Sequence, residues 1–540
     1  MTTDLYRPRW SGPGQPAVGD TGIHQALTRL DEPVYILRGP YGLGAASGGT
    51  VTAGGDHEIV AAAPPLGPER LGSAAFLADH GVRQAYMSGA MANGIASADM
   101  VIAMARAGFL GSYGAAGLLP EAVEKALVRF RDEIPGLAYA CNLIHSPSEE
   151  RLERTSVDLF LKYGVRRVEA SAFLKLTPHL VRYRVAGLTA GGPHGVVAAN
   201  KIIAKVSRPE IADLFLRPAP EAMVRALVEE GLVTEEQAGL AALIPLADDI
   251  TVEADSGGHT DRRPLPALLP VIMRQRDAVA QETGCPARIR IGAAGGIGTP
   301  EAAAAAFAMG ADYIVTGSVN QSCLEAGTSA RVKEMLSQAG IADCDMAPAA
   351  DMFEMGVELQ VLRRGTFFPM RAKQLYELYR TYDGIDAIPA DVRTRVEEQI
   401  FRRPLDDVWE ETAEYFRRRD PGQLARAEGN PKRRAALIFR WYLGMASRWA
   451  KTGEADRAVD FQIWCGPAMG SFNAWVRGTY LAAPEHRRVA DVARQIMAGA
   501  AFHQRLAVLR AAGVAFPAGF ATRPSPEDAT SCDPAVGVGR

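Results

Sequence analysis

The sequence predicts an α/β fold: a (β/α)8 barrel with a helical rim insertion after strand five and a C-terminal all-α domain. Three observations predict it. Between Gln84 and Gln321 the chain alternates strand-like and helical stretches eight times, at the length a closed parallel barrel needs. Two glycine turns stand one βα unit apart at the end of that stretch, around Gly295-Gly296 and Gly317-Ser318. Beyond residue 351 the pattern becomes almost purely helical and carries Trp409, Trp441, Trp449, Trp464 and Trp475. A doubly wound open sheet is the alternative. The even spacing and the late glycine turns favour the barrel.

Residues 1–84 form a Gly/Pro-rich segment with short strands, at 34–37 and in the 50–60 region. Residues 85–330 form the barrel. Its strands are expected at 85–91, 110–113, 139–144, 167–172, 201–206, 250–254, 288–291 and 313–316. Helical patterns follow at 98–107, 120–133, 149–163, 178–185, 265–282 and 300–309. The fifth unit is too long. Its insertion, 207–248, carries helical stretches at 208–216, 221–230 and 234–243, the last opened by a Thr234/Gln237 capping box. Rim insertions in barrels shape the substrate entrance, and packing against a barrel side is the other use. Residues 331–515 read as amphipathic helices at 370–382, 390–401, 405–418, 431–451, 471–480 and 485–512. The aromatic stripe of Phe439, Trp441, Tyr442 and Trp449 reads as core. Residues 516–540 read as a flexible tail.

Composition excludes several classes. The chain has 540 residues and a hydrophobic content of 48%, enough for large cores. A net charge of -3 gives no footprint for nucleic acid. The six cysteines are scattered with no C-x-x-C pair, which reads as reduced thiols in a cytoplasmic protein, with neither a disulfide frame nor a metal site. The first residues lack an apolar signal segment, and no apolar run reaches membrane-spanning length.

The chemistry collects at the C-terminal ends of the strands. The two late glycine turns expose backbone N–H groups toward one point, and Thr299-Pro300 opens a helix behind them. Together they suit a phosphate. Tight turns alone would explain one such pair; two, a βα unit apart, favour phosphate. A dinucleotide fingerprint fits less well, because Gly295-Gly296-Ile297-Gly298 lacks the G-x-G-x-x-G order and Gly42-Leu43-Gly44 is incomplete. After strand six comes Glu253-Ala-Asp-Ser-Gly257-Gly258-His259. Its glycines let backbone approach a flat ligand, and His259 projects an imidazole able to donate a proton near neutral pH. Gly89, Ala90 and Met91 end strand one with small residues that can lie against a planar ring. Asn142 ends strand three with an amide that donates and accepts. Lys201 and Lys205 share one face of strand five. Lys205, nearer the mouth, can balance negative charge on a reduced ring or form a rim salt bridge.

These turns, in this order, resemble the 2-nitropropane dioxygenase/enoyl reductase superfamily of FMN flavoproteins. The whole chain resembles more specifically the trans-acting enoyl reductases of polyunsaturated fatty acid synthases and trans-acyltransferase polyketide synthases, the PfaD type. The residues that carry this are 253–264 (EADSGGHTDRRP), 320–329 (NQSCLEAGTS), 346–382 (MAPAADMFEMGVELQVLRRGTFFPMRAKQLYELYRTY), 439–449 (FRWYLGMASRW) and 461–468 (FQIWCGPA). The resemblance implies an FMN enzyme that takes electrons from NADPH or NADH and reduces α,β-unsaturated thioesters on an acyl carrier protein. By the same resemblance, Gly89, Ala90 and Met91 lie against the flavin, and Asn142 and Lys205 contact its ring or ribityl chain. Gly295, Gly296, Ile297, Gly317 and Ser318 hold its phosphate, and His259 is the catalytic histidine. The helical domain is expected to contact a carrier protein or a second copy of the chain in a homodimer. Simple nitronate-oxidising members have Glu-Ala-Gly-Gly-His, whereas this chain carries Asp255-Ser256 before the glycines. A flavin oxidase of a small acidic carbon compound and a non-catalytic synthase scaffold are the alternatives.

Overall fold

A computed structural model of the chain describes residues 8–40, 42–145, 150–192, 195–285, 288–517 and 519–526. Its centre is a closed barrel of eight parallel strands in sequence order: Tyr86–Ser88, Leu110–Tyr113, Ala140–Ile144, Arg167–Ser171, Lys201–Val206, Asp249–Glu253, Arg290–Ala294 and Ile314–Thr316. The eighth closes on the first through the register Ile314↔Tyr86 and Thr316↔Ser88. The first strand ends at Ser88, so Gly89, Ala90 and Met91 belong to the turn. The seventh starts two residues later than expected, so its turn begins at Gly295.

Period-two alternation sorts the strand residues. Met87, Leu110, Ala140, Ile203, Ala294, Tyr313 and Val315 pack together, while Cys141, Val168, Ile202, Ile250 and Ile291 join the large core shared with the surrounding helices. Gly292 sits opposite Tyr313: a Cβ there would come 2.3 Å from the ring, so only glycine fits. The helix Ala74–His80, just before strand one, plugs the N-terminal end. Its Phe76 stacks on Tyr313, with centroids 4.4 Å apart, and His80 Nε2 lies 2.8 Å from Asp249 Oδ2. Arg290 Nε donates to Asp249 Oδ1 at 2.5 Å, and Arg167 Nη2 donates to the His80 carbonyl at 2.8 Å. This end is a closed, charged floor.

The insertion after strand five sits at the floor end, not at the mouth. Pro209–Leu216 runs back as the ordinary barrel helix and packs on Leu265–Thr283. Only then come Glu221–Glu229 and Glu235–Ala241, packed on Pro178–Val185 and on a hairpin, Leu188–Ala190 with Val196–Ala198, that leads into strand five. Gln237 Nε2 donates to the Ala186 carbonyl at 3.0 Å, at the floor end of its helix. The Thr234/Gln237 capping box is formed. A substrate-entrance role for this insertion is thereby corrected: its helices wall the side and floor.

Outside the barrel, residues 8–63 make a six-stranded antiparallel sheet, with two strands, Thr50–Thr52 and His57–Ala63, where the sequence suggests one continuous region. The C-terminal region carries Phe368–Thr381, Leu405–Arg419, Pro431–Thr452, Ala468–Val476 and Val489–Ala511. Residues 390–401 are an α-helix, Ala390–Val396, continued by a π-helical turn, Glu397–Phe401. Phe439, Tyr442 and Trp449 are buried as expected, whereas Trp441 is half-buried. The region is not purely helical: Cys344–Pro348 and Glu358–Leu362 are antiparallel strands, joined by Gly258–His259 into a three-stranded sheet. The start of the expected flexible tail is packed. Phe516 and Phe520 lie against the N-terminal core, and Trp475 Nε1 donates to the Thr522 carbonyl at 3.1 Å. Residues 527–540, including Cys532, lie outside the described residues. Among the described residues no helix is long and apolar enough to cross a membrane.

Candidate active site

At the mouth, the alternation that fills the lumen with apolar side chains turns polar. Asn142, Glu169, Lys205 and Glu253, on strands three to six, are all inward-facing positions toward the mouth. Asn142 is buried and its Nδ2 donates to the Glu169 carbonyl and to Ser171 Oγ, both at 3.0 Å. Glu169 is fully buried and its Oε2 accepts from the Ala90 N–H at 2.8 Å, which fixes the turn after strand one. Lys205 Nζ lies 3.0 Å from Glu253 Oε1. Burial works against the charge of Lys205, but Glu253 and then Glu169 outweigh it and its pKa is raised. Glu169 and Glu253 were not singled out in the sequence, although the period-two count that selects Lys205 selects them too.

The turn after strand six is built by contacts on three sides. Asp261 ties it to the end of strand five: Oδ2 accepts from Ser207 Oγ at 2.6 Å, and both carboxylate oxygens accept from Arg208 at 2.9 Å. Gln360 Nε2 donates to Asp255 Oδ1 at 2.9 Å and to the Ser256 carbonyl at 2.7 Å. The Asp255-Ser256 pair that departs from the simpler motif is therefore the attachment point of the added sheet. Gly257 packs backbone on backbone against the FQIWCGPA segment, where a Cβ would meet Cys465 N at 2.8 Å. Gly258 has φ +81°, a conformation that favours glycine, and pairs with Gln360. His259 pairs with Leu359, and its Nε2 lies 3.2 Å from Asp351 Oδ2. Burial lowers the histidine's proton affinity, but Asp351 and then Glu253 outweigh it and the pKa is raised.

The glycine turns of strands seven and eight lie on the same rim. Gly295 and Gly296 have φ +86° and +71°. The backbone N–H groups of Gly295, Gly296, Ile297 and Gly317 donate no hydrogen bond to the described residues. Nothing stands within 4 Å of where a Cβ on Gly296 or Gly317 would lie. Ser318 Oγ accepts from the Gly466 N–H at 3.0 Å, so the FQIWCGPA segment also touches this turn. Thr299 caps the next helix, its Oγ1 accepting from the Ala302 N–H at 3.3 Å. The residues expected from the sequence thus gather at one end of one barrel. The arrangement offers unpaired backbone donors beside open space, a buried amide, a cation between two carboxylates and an imidazole paired with a carboxylate.

Comparisons with known proteins show what the chain is similar to. Residues 10–65, which span most of the N-terminal sheet, match the family described as fatty acid synthase subunit PfaD N-terminal domain. Residues 382–461 match the inserted helical domain of acyl-carrier-protein S-malonyltransferase. The chain is 48% identical over 511 residues to a polyunsaturated fatty acid synthase subunit of Thraustochytrium sp., across 93% of this chain and 34% of that one. It is 45% identical over 441 residues to polyketide biosynthesis protein PksE of Bacillus subtilis, across 81% of this chain and 57% of that one. The chain therefore spans about a third to just over half the length of these relatives. The enoyl reductase domain of MlnA, from the macrolactin biosynthesis cluster of Bacillus amyloliquefaciens, superposes with a TM-score of 0.77 at 40% identity, over 82% of this chain and 98% of that one. With 98% of the homologous MlnA domain covered, and with the barrel, the added sheet and the helical region in one chain, this protein belongs to the PfaD-type family that it shares with that domain.

Proposed function

We propose that the chain is an FMN-dependent enoyl reductase. It takes electrons from NADPH or NADH and acts on α,β-unsaturated thioesters carried by an acyl carrier protein, in the cytoplasm. The observation that carries the reading is the convergence at one rim of unpaired N–H groups with an imidazole paired with a carboxylate. The residues fit the cofactor: the N–H groups of Gly295, Gly296, Ile297 and Gly317, with open space before Gly296 and Gly317, form a phosphate cradle. When bound, FMN supplies the hydride. Residues 89–91, fixed through Glu169, back the ring, and Asn142 offers it an amide. Lys205 balances the negative charge of the reduced ring. His259 holds a proton and delivers it to the α-carbon, or polarises the thioester carbonyl.

The test is an anaerobic titration of the FMN-loaded protein. NADPH is added first, then a crotonyl thioester of an acyl carrier protein. Bleaching of the flavin followed by its return on adding the thioester is the expected result, and His259→Ala keeps the flavin but loses the second phase. A protein that takes up no FMN would instead favour a scaffold. Bleaching reversed by oxygen but never by any enoyl thioester would favour an oxidase.

A further inference from the structure

Nothing in the local sequence of the His259 turn shows what orients the imidazole. The partner arrives 92 residues later in the chain, and it arrives through the added sheet. Gly258–His259 pairs antiparallel with Glu358–Leu362, which pairs with Cys344–Pro348. Asp351 lies in the connection between those last two strands, closed by a hydrogen bond from the Ala349 N–H to the Val357 carbonyl at 2.9 Å. One sheet therefore fixes the backbone of both His259 and Asp351, and their side chains meet at 3.2 Å through Nε2 and Oδ2. Gln360, in the central strand, locks the sheet to the turn through Asp255 and Ser256.

We propose that Asp351 is the positioning residue of His259: it holds Nε2–H, fixes the plane of the ring, and leaves Nδ1–H for the reacting thioester. This rests on the enoyl reductase reading given above. No described residue bonds Nδ1. Both side chains keep exposed surface, 35% for His259 and 46% for Asp351, so the pair is accessible from solvent. The charged groups around the imidazole are Asp351 and Glu253, which favour its protonated form, and Lys205, which opposes it. Asp351 is itself held as a carboxylate: burial opposes its charge, but His259 and, more distantly, Arg440 of the helix Pro431–Thr452 outweigh it. Arg440 is kept near by Glu354, at 3.4 Å. Carboxylate–imidazole pairing of this kind fixes the tautomer and raises the basicity of the ring. Asp351 does not touch the reacting atoms and acts through His259.

The experiment uses the full chain loaded with FMN and compares wild type, Asp351→Asn and Asp351→Glu. The first readout is independent of turnover: the titration of His259 by NMR of histidine-labelled protein, assigned with His259→Gln. Asp351→Asn should lower that pKa by about one pH unit. The second is the kinetics. kcat should fall roughly 10- to 100-fold with the thioester KM little changed. A general acid works only while protonated, so activity is lost as pH rises through its pKa, and the alkaline limb should move to lower pH with it. Asp351→Glu should recover part of kcat and most of the pKa. An unmoved His259 titration in Asp351→Asn overturns the proposal, as does full activity with an unmoved alkaline limb. If Asp351→Asn does not fold, Asp351→Ser takes its place: a His259 titration and an alkaline limb that both move to lower pH support the pairing, and an unmoved titration overturns it. A wild-type protein that reduces no enoyl thioester would sink the reaction reading, while the NMR titration would still decide the pairing.

Discussion

Lys205 and Glu253 face each other across adjacent barrel strands, Nζ to Oε1 at 3.0 Å, with Glu169 on the other side of the lysine. The cation is thus the hinge of a short charge row in the lumen, and removing it leaves two carboxylates without compensation. Lys205→Met should lower stability by about 1–3 kcal/mol, read from the thermal melt. It should also make the bound flavin harder to reduce, because the charge that balances the reduced ring is gone. A redox titration against reference dyes reads this directly. An unchanged potential would assign Lys205 to the salt bridge alone.

The rim glycines differ in what they need, and alanine separates the cases. Gly257 lacks room: a Cβ would meet Cys465 N at 2.8 Å. Gly257→Ala should lift the turn off residues 465–466, costing about 1–3 kcal/mol, and should carry away activity with it. Gly317 has φ -128°, outside the left-handed region that favours glycine, and open space where a Cβ would lie. Gly317→Ala should therefore leave the melting temperature of the flavin-free protein unchanged while weakening FMN binding, about tenfold or more, because its Cβ would stand in the space the phosphate needs and hold the phosphate off the N–H. A flavin-binding titration of the two variants beside their melts checks both. Unweakened binding in Gly317→Ala would remove that turn from the phosphate cradle.

The floor of the barrel should set the acid limit of stability. Burial disfavours the charge of Asp249, but His80 and Arg290 outweigh it and hold its carboxyl well below the ordinary range. Glu301 is pushed down to about 2, mainly by its hydrogen bond to His503 and against burial. Both folded pKa values are depressed, so both contributions are complete above the unfolded values near 4 and fade as pH falls through the folded ones. The half-exposed Glu301 contributes the smaller part. The melting temperature should hold from about pH 7 to 5 and drop below about pH 4. Asp249→Asn should cost about 1–3 kcal/mol at neutral pH, because Arg290 loses its buried fork to Asp249 and keeps its ion pair with Asp79, Nη1 to Oδ2 at 3.0 Å, and should flatten the acid drop. Its flavin affinity should match wild type, since the floor lies at the opposite end from the mouth.

Sequence reading reaches as far as local physics reaches. The eight strands and their helices are legible because alternation and 3.6-residue periodicity are local, and Thr234/Gln237 and Thr299 are legible because caps are local. The same counting would have reached Glu169 and Glu253. Asp351 was out of reach, since its only link to His259 is a pairing with a strand 100 residues away in the chain. The strands at 344–348 and 358–362 were missed for the same reason: Gln360 and Asp345 carry polar side chains that suit no simple alternating face, and their stability comes from Gly258–His259 and residues 463–465. The insertion was legible as helices but not as to place, because the sequence does not show that Pro209–Leu216 first carries the chain down to the floor.

The two ends of the described chain are joined by one arginine, and this too can be tested. Arg505, on the helix Val489–Ala511, is fully buried, and burial lowers its pKa; no carboxylate pairs with it among the described residues. Its charge is met by backbone instead. Nη1 donates to the carbonyls of Leu27 and Arg29 at 3.1 and 2.9 Å. Nη2 donates to those of Leu30 and Glu32 at 3.1 and 2.8 Å. The guanidinium fork thus closes the exit of the N-terminal helix Gly19–Thr28 and holds the N-terminal sheet to a helix that also packs along the barrel helix Pro300–Ala308. Arg505→Met should strand several buried carbonyls and cost about 2–4 kcal/mol. Lysine should rescue little, because one ammonium has three donors and no planar fork to span these four carbonyls and that of Pro64, 3.4 Å from Nη2. The check is a thermal melt with limited proteolysis: early cleavage within residues 8–63 while the barrel survives would confirm that Arg505 clasps the sheet, and a melt equal to wild type would show that apolar packing holds it alone.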